Sequence, residues 1–273
     1  MNNKVQILLS IMNLDNYKEQ LKKMNVKQNF VIVNQITNDD SKMININNDD
    51  GIVYSYRGKG LSASRNKAID LCNSKICMLS DDDMFYYKNY FQVISSYYEK
   101  YPDADVICFA VDYENKDKNK KRFKEGKIGF IKSLNISSVQ ISFKANIIKN
   151  KKIRFDEMFG SGSLYNFGED NIFMYDVLKN KLKVYYVPVP IGLLKEVHES
   201  SWFEGFNKDY MRKRGAIFYR MSKLLYNFLI IQFAIRKKRK YDFSVLSAMR
   251  YMYYGKKEYK KKVEEYEREK RIG

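Results

Sequence analysis

The chain has 273 residues, is 45% hydrophobic and 15% aromatic, and contains three prolines; that composition supports a substantial core and excludes a disordered or fibrous chain. Fifty Lys and Arg face 32 Asp and Glu, a formal +18, but residues 206–273 alone carry 20 of the bases and 7 of the acids. The surplus belongs to the C-terminal quarter, which argues against a nucleic-acid-binding module built on one continuous basic face.

Cys72, Cys77 and Cys108 form no C-x-x-C pair and lie in apolar surroundings, as small core residues of a reducing compartment do. The opening "MNNKVQILLSIMN" is too short for a signal peptide and no apolar run reaches the length of a membrane span, so the expected location is the cytoplasm.

Taken in order, "KVQILLS" (4–10) is a short apolar strand and "NYKEQLKKMNV" (16–26) an amphipathic helix. "NFVIVNQ" (29–35) and "GIVYSY" (51–56) are strands, "LSASRNKAIDLC" (61–72) is a helix with Ser62 as its N-cap, and "KICMLS" (75–80) is a buried strand. This alternation predicts a parallel sheet covered on both faces, with ligands gathered beyond the carboxyl ends of the strands. Further on come a helix at 89–101, a strand at 104–114, a charged loop at 117–127 and a strand or strand-to-helix turn at 138–148. A glycine-rich loop then feeds a helix within 159–180, and "KVYYVPVPIG" (183–192), with two prolines, reads as an edge strand.

The run "ICMLSDDDM" delivers Asp81, Asp82 and Asp83 to that ligand-gathering edge. Aspartates can simply cap a helix or solvate a loop. Three carboxylates within one turn repel one another unless a cation lies among them, however, and oxygen donors without His or Cys suit Mg2+ or Mn2+ shared with a phosphate. Upstream, Gly58, Gly60 and Arg65 in "RGKGLSASRN" form a candidate anion site at a helix start. A second acidic pair, Glu169 and Asp170 in "FGEDNIF", is either a charged first turn or the free carboxylate that a metal-assisted transfer needs as general base.

In order, "ILLSIMN", "VIVNQ", "GLSASRNKAI", "ICMLSDDDM" and "GSGSLYNFGEDNIFMYDVLKN" resemble the successive signatures of family 2 inverting glycosyltransferases, over residues 4 to about 205. The likeness is greatest to the bacterial subgroup that builds capsular or other cell-surface polysaccharides. The resemblance implies an α/β GT-A (Rossmann-like) fold, a mostly parallel sheet flanked by helices, with a C-terminal helical extension. Residues 1–205 would be catalytic, with 1–114 binding the nucleotide sugar and 115–205 the acceptor, and 206–273 would be the basic extension. It further implies Mn2+ or Mg2+ on Asp83 and Asp81, with Asp81 also near the ribose and Asp82 between them. Ser10 and Asn13 would line the nucleotide pocket and Arg65 would approach the phosphates. Asp170, or else Glu169, would deprotonate the acceptor, a glycan or lipid-linked hydroxyl. The familiar "PTYN" is missing after the first strand, and Asn34–Gln35 stand where many relatives carry an aspartate, so amide edges would read the base. His198, the single histidine, is a metal or acceptor contact or a structural residue; Trp202, the single tryptophan, stacks on a sugar or anchors the core.

The rival chemistry for aspartates at a strand end is a Mg2+-dependent nucleotidyltransferase or phosphatase. In the tail, "LLYNFLIIQFAI" (224–235) is apolar nearly all round and is followed by "RKKRK". Residues 220–240 therefore either lie on an anionic membrane surface, making the protein peripheral on its inner face, or pack on the catalytic domain.

Overall fold

The computed structural model describes residues 5–38, 43–115, 122–195 and 203–272. The chain divides into two compact units, Met1–Glu199 and Ser200–Gly273.

The first unit runs β1 (Val5–Met12), α1 (Tyr17–Lys23), β2 (Phe30–Ile36), β3 (Ile46–Asn48), β4 (Gly51–Arg57), α2 (Leu61–Leu71), β5 (Ile76–Ser80), β6 (Met84–Tyr86) and α3 (Tyr90–Lys100). It continues with β7 (Val106–Tyr113), β8 (Gly126–Lys127), α4 (Phe130–Ser133), β9 (Ile141–Lys144), α5 (Ala145–Asn150), α6 (Glu169–Lys179) and β10 (Val184–Leu194). The strands form one sheet in the order β3-β4-β2-β1-β5-β9-β7-β10-β6, with β8 also on β10. Strands β4, β2, β1 and β5 are mutually parallel, with α1 crossing over from β1 to β2 and α2 from β4 to β5. β9 is the reversal, antiparallel to both β5 and β7.

Alternation along β1 builds both cores. Ile7, Leu9 and Ile11 join Leu21 of α1 and Ile94 of α3 on one face; Leu8 joins Ala68 and Ile69 of α2 and Phe173 of α6 on the other. The chain thus has the mostly parallel, helix-covered sheet of the GT-A fold. The ambiguous segment 138–148 is both things expected of it: a 3-10 turn at Ser138–Gln140, a short strand and then α5.

One strand departs from its expected place. β10 is not an edge, since β7 flanks it on one side and β6 and β8 on the other. Its register against β7 slips between Val187 and Pro190 and again between Pro190 and Leu193, and these irregularities accommodate prolines that cannot donate to a ladder.

The second unit holds α7 (Lys208–Met221), α8 (Tyr226–Arg236) and α9 (Val245–Ile272), the last 28 residues long. α7 and α9 approach at two glycines. A Cβ on Gly215 would stand 2.0 Å from the Met252 carbonyl oxygen, and one on Gly255 would stand 1.8 Å from that of Arg212. α8 packs on both of these helices. Among the described residues no helix is long and apolar enough to cross a membrane.

Candidate active site

Ser80 ends β5 opposite Leu9 of β1, so Asp81 emerges beside Ser10. The chain then turns, with the Met84 N–H on the Asp81 carbonyl at 3.3 Å, and β6 returns along β10, where the Lys195 N–H donates to the Asp83 carbonyl at 3.0 Å. The Gln20 amide holds the Asp82 carbonyl at 2.8 Å. Two backbone N–H groups and one side-chain amide, each donating to the carbonyl of a different aspartate, therefore fix the aspartate turn.

Arg65 joins the two acidic segments. It sits in α2, 2% exposed, with its guanidinium carbon over the Phe155 ring, 5.3 Å from that ring's centre. Its Nη2 donates to Asp81 Oδ1 at 2.9 Å and to Ser138 Oγ at 2.7 Å. Its Nη1 donates to Asp170 Oδ1 at 2.9 Å and to Glu169 Oε1 at 3.1 Å. A desolvated guanidinium takes the nearest anions it can reach, so Arg65 is a tie among carboxylates rather than an open phosphate contact. Burial opposes its charge, but Asp81, Asp170 and Glu169 outweigh that effect and its pKa is raised.

Ser138, which no sequence motif singles out, completes the cluster. Its N–H donates to Asp170 Oδ2 at 2.9 Å and its hydroxyl to Asp81 Oδ2 at 3.3 Å. The one local signal is the capping box that holds its turn, Ser137 with Gln140. Glu169 and Asp170 reach the cluster because Gly168, at φ 97, turns the loop into the start of α6. α2 clamps the preceding loop: the Ser62 hydroxyl donates to the Phe159 carbonyl at 2.6 Å, and Asn66 exchanges two hydrogen bonds with the Phe155 backbone. Ser62 is therefore inside α2, and Gly60 is the residue at its N-cap.

Crowding shows in the protonation of these groups. Burial, then Asp81 and Asp82, raise Asp83 to about 7. Burial, then Asp170, raise Glu169 to about 7 despite Arg65. Asp170 is raised by burial as well, against the pull of Arg65. One guanidinium cannot neutralise so many carboxylates, and the least solvated keep their protons longest.

The Asp83 Oδ1 and Ser10 Oγ atoms are buried without a hydrogen-bond partner among the described residues. An orphaned carboxylate oxygen repelled by two neighbouring anions fits a hard divalent cation. Among the described residues no group of three or more His, Cys, Asp or Glu could hold a metal by itself. The chain would thus contribute one or two oxygens, and phosphate and water the others.

The remaining expected site residues fall in different places. Asn13, at φ 50, bonds Thr37 through both ends of its amide and ties the loops after β1 and β2 together. Asn34 and Gln35 are buried behind those loops: Asn34 accepts from the Leu14 N–H at 2.9 Å and donates to Ser55, and Gln35 donates to the Tyr56 hydroxyl and the Gly60 carbonyl. Their amides brace the rim instead of presenting an edge for a base. His198 and Trp202 lie outside the described residues. A cavity of 290 Å³ is walled by Val111, Tyr113, Arg122, Asn135, Gln140 and Tyr186, with none of the three aspartates in its lining; its link to the aspartate turn is Tyr113, whose pKa Asp83 helps to raise, after burial. A larger cavity of 360 Å³, at Leu21, Lys22 and Phe30, lies at the opposite end of β2, away from the acidic cluster.

Crystal structures of TarS from S. aureus share this architecture. Residues 1–349 of TarS in complex with UDP-GlcNAc match with a TM-score of 0.58 and 13% identity, covering 88% of this chain and 73% of that one. The same region in complex with UDP gives 0.54 and 14%, with 88% and 72% covered. A longer TarS structure gives 0.55 and 14%, with 88% of this chain but 44% of that one. No curated protein matches the chain in sequence. The model of glycosyl transferase family 2 matches residues 28–168, the stretch that includes Arg65, the three aspartates and Ser138 and ends at the threshold of Glu169, and the chain belongs to that family.

Proposed function

We propose that the protein transfers a sugar from a nucleoside-diphosphate donor to an acceptor hydroxyl on a growing or lipid-linked cell-surface glycan, inverting the anomeric carbon. The observation that carries this reading is the Arg65 cluster, which sets Asp170 beside Asp81 on a turn whose next carboxylate, Asp83, has an unpartnered oxygen. TarS, of the same architecture, was crystallised with UDP-GlcNAc and with UDP, which favours a uridine nucleotide as donor.

Asp83, aided by Asp81, would hold Mn2+ or Mg2+. When bound, the ion supplies positive charge to the departing diphosphate. Asp170 takes the proton of the acceptor hydroxyl as its oxygen forms the bond to the anomeric carbon. The bond from that carbon to the phosphate oxygen breaks, and its electron pair leaves with the nucleoside diphosphate. A single displacement inverts the centre. Burial suits Asp170 to this task, because a base works best with its pKa drawn toward the operating pH. Ser138 and Arg65 hold the Asp170 carboxylate in place.

A panel of UDP-, GDP-, CMP- and dTDP-sugars with Mn2+ tests the reading. One donor should bind only with metal, Asp83→Ala should lose that binding, and Asp170→Asn should keep it while turnover falls roughly a hundred- to ten-thousand-fold. Release of pyrophosphate or inorganic phosphate in place of a nucleoside diphosphate and a new glycoside would overturn it.

A further inference from the structure

Helix α8 is apolar nearly all round, with Asn227 and Gln232 its polar residues before Arg236, yet only one side is covered. Tyr226, Leu229, Ile230, Phe233 and Ala234 are buried in the packing of α8 on α7 and α9. Opposite them Leu224, Phe228, Ile231 and Ile235 are 92%, 61%, 42% and 62% exposed. The spacing of three and four residues gathers Phe228, Ile231 and Ile235 into one narrow stripe along the helix, and Leu224 lies in the turn just before it. Large apolar side chains aligned in this way on a water-facing surface mark an interaction site.

The charges around the stripe indicate what it meets. Arg236, Lys237, Lys238, Arg239 and Lys240 follow it directly, Arg220 and Lys223 precede it, and no acidic residue occurs between 220 and 241. Among the described residues none of Arg236–Lys240 forms an ion pair, whereas Arg212 and Lys213 pair with Asp209 and Arg212 also pairs with Glu258. Partial burial and then the repulsion of Arg236, Lys240 and Arg214 lower the pKa of Lys237, as expected where cations crowd without anions. A cluster of this kind next to bare apolar side chains complements a surface that is acyl inside and anionic outside. With eleven residues, α8 is too short to cross a bilayer and would lie along it.

We infer that the stripe of Phe228, Ile231 and Ile235, with Leu224 in the turn before it, beds into the headgroup–acyl boundary of an anionic membrane, with Arg236–Lys240 on the lipid phosphates. A second copy of the chain is a poorer partner, because a two-fold contact through the stripe would bring two unpaired cationic clusters together. This surface is separate from the transfer chemistry, so either reading can fail without the other.

The test is sedimentation of the full chain with vesicles of phosphatidylcholine alone and of phosphatidylcholine mixed with phosphatidylglycerol, over a salt series. Binding should require the anionic lipid and weaken with salt. A variant with Phe228→Ser, Ile231→Ser and Ile235→Ser should lose about tenfold or more of that binding. A variant with Arg236→Glu, Lys238→Glu and Arg239→Glu should lose the salt-sensitive part. Because all six side chains are exposed, or nearly so, thermal melts of both variants should match the parent. Wild-type protein that stays in solution with the anionic vesicles, or serine-substituted protein that binds as before, would overturn the inference. So would a wild-type dimer that the serine substitutions dissociate, since that result makes a second copy the occupant.

Discussion

Arg65 is the residue on which the acidic cluster depends, and the cluster's surplus of negative charge has a measurable consequence. Glu169, 8% exposed, is raised from 4.5 to about 7 by burial and then by Asp170. A carboxyl whose folded pKa lies above its unfolded one contributes stability that is complete below the unfolded value and lost as pH rises through the folded value. Between about pH 4.5 and about pH 7 this group should therefore cost the fold on the order of 2–3 kcal/mol. Glu169→Gln keeps an acceptor for Arg65 and removes the titration. Its unfolding free energy, measured by denaturant titration at several pH values, should fall less over this interval than that of the wild type. Parallel profiles for the two proteins would mean that Glu169 is not the group holding the extra proton.

At the level of whole elements, position follows from close contact as much as from apolar pattern. α7 and α9 meet backbone to backbone at Gly215 and Gly255, with no room for a methyl group on either. Gly215→Ala would raise intrinsic helix propensity by about 1 kcal/mol. It should nevertheless destabilise the helical unit by on the order of 1–3 kcal/mol, because the added carbon overlaps the Met252 carbonyl. A thermal melt that moves upward for Gly215→Ala would contradict the packing described. β10 lies inside the sheet although its two prolines predict an edge. Two prolines do forbid a regular ladder, but the ladder here is irregular at both of them, and that relief exists only once β7 is alongside.

For the molecule as a whole, the proposed donor and metal should act on stability together. A ligand present at about a hundred times its Kd stabilises the state that binds it by about 2.7 kcal/mol. UDP with Mn2+ should therefore raise the melting temperature of the wild type more than UDP or Mn2+ alone. Asp83→Ala should abolish the joint effect, while Asp170→Asn should retain it. Equal shifts for Asp83→Ala and wild type would remove Asp83 from the metal site. The charge separation noted in the sequence has its counterpart in the structure: the basic surplus sits on the helical unit, and the acidic cluster on the sheet unit.

The order of the longer strands and helices in the first hundred residues, though not the three-residue strands β3 and β6, the arrival of three aspartates at the end of a buried strand and the helix opened by Glu169 and Asp170 were readable from periodicity and local chemistry, which depend on neighbours in the chain. The role of Ser138, the inward turn of Arg65 and the burial of Asn34 and Gln35 were not. Those depend on which groups a desolvated side chain finds within reach. Arg65 and Asp170 are separated by 105 positions in the chain and by 2.9 Å in the fold. Sequence by itself determined that apolar helix α8 would need cover and that cations follow it; only the packing on α7 and α9 decided which half was covered, because a helix apolar nearly all round carries little mark of the face its neighbours will take.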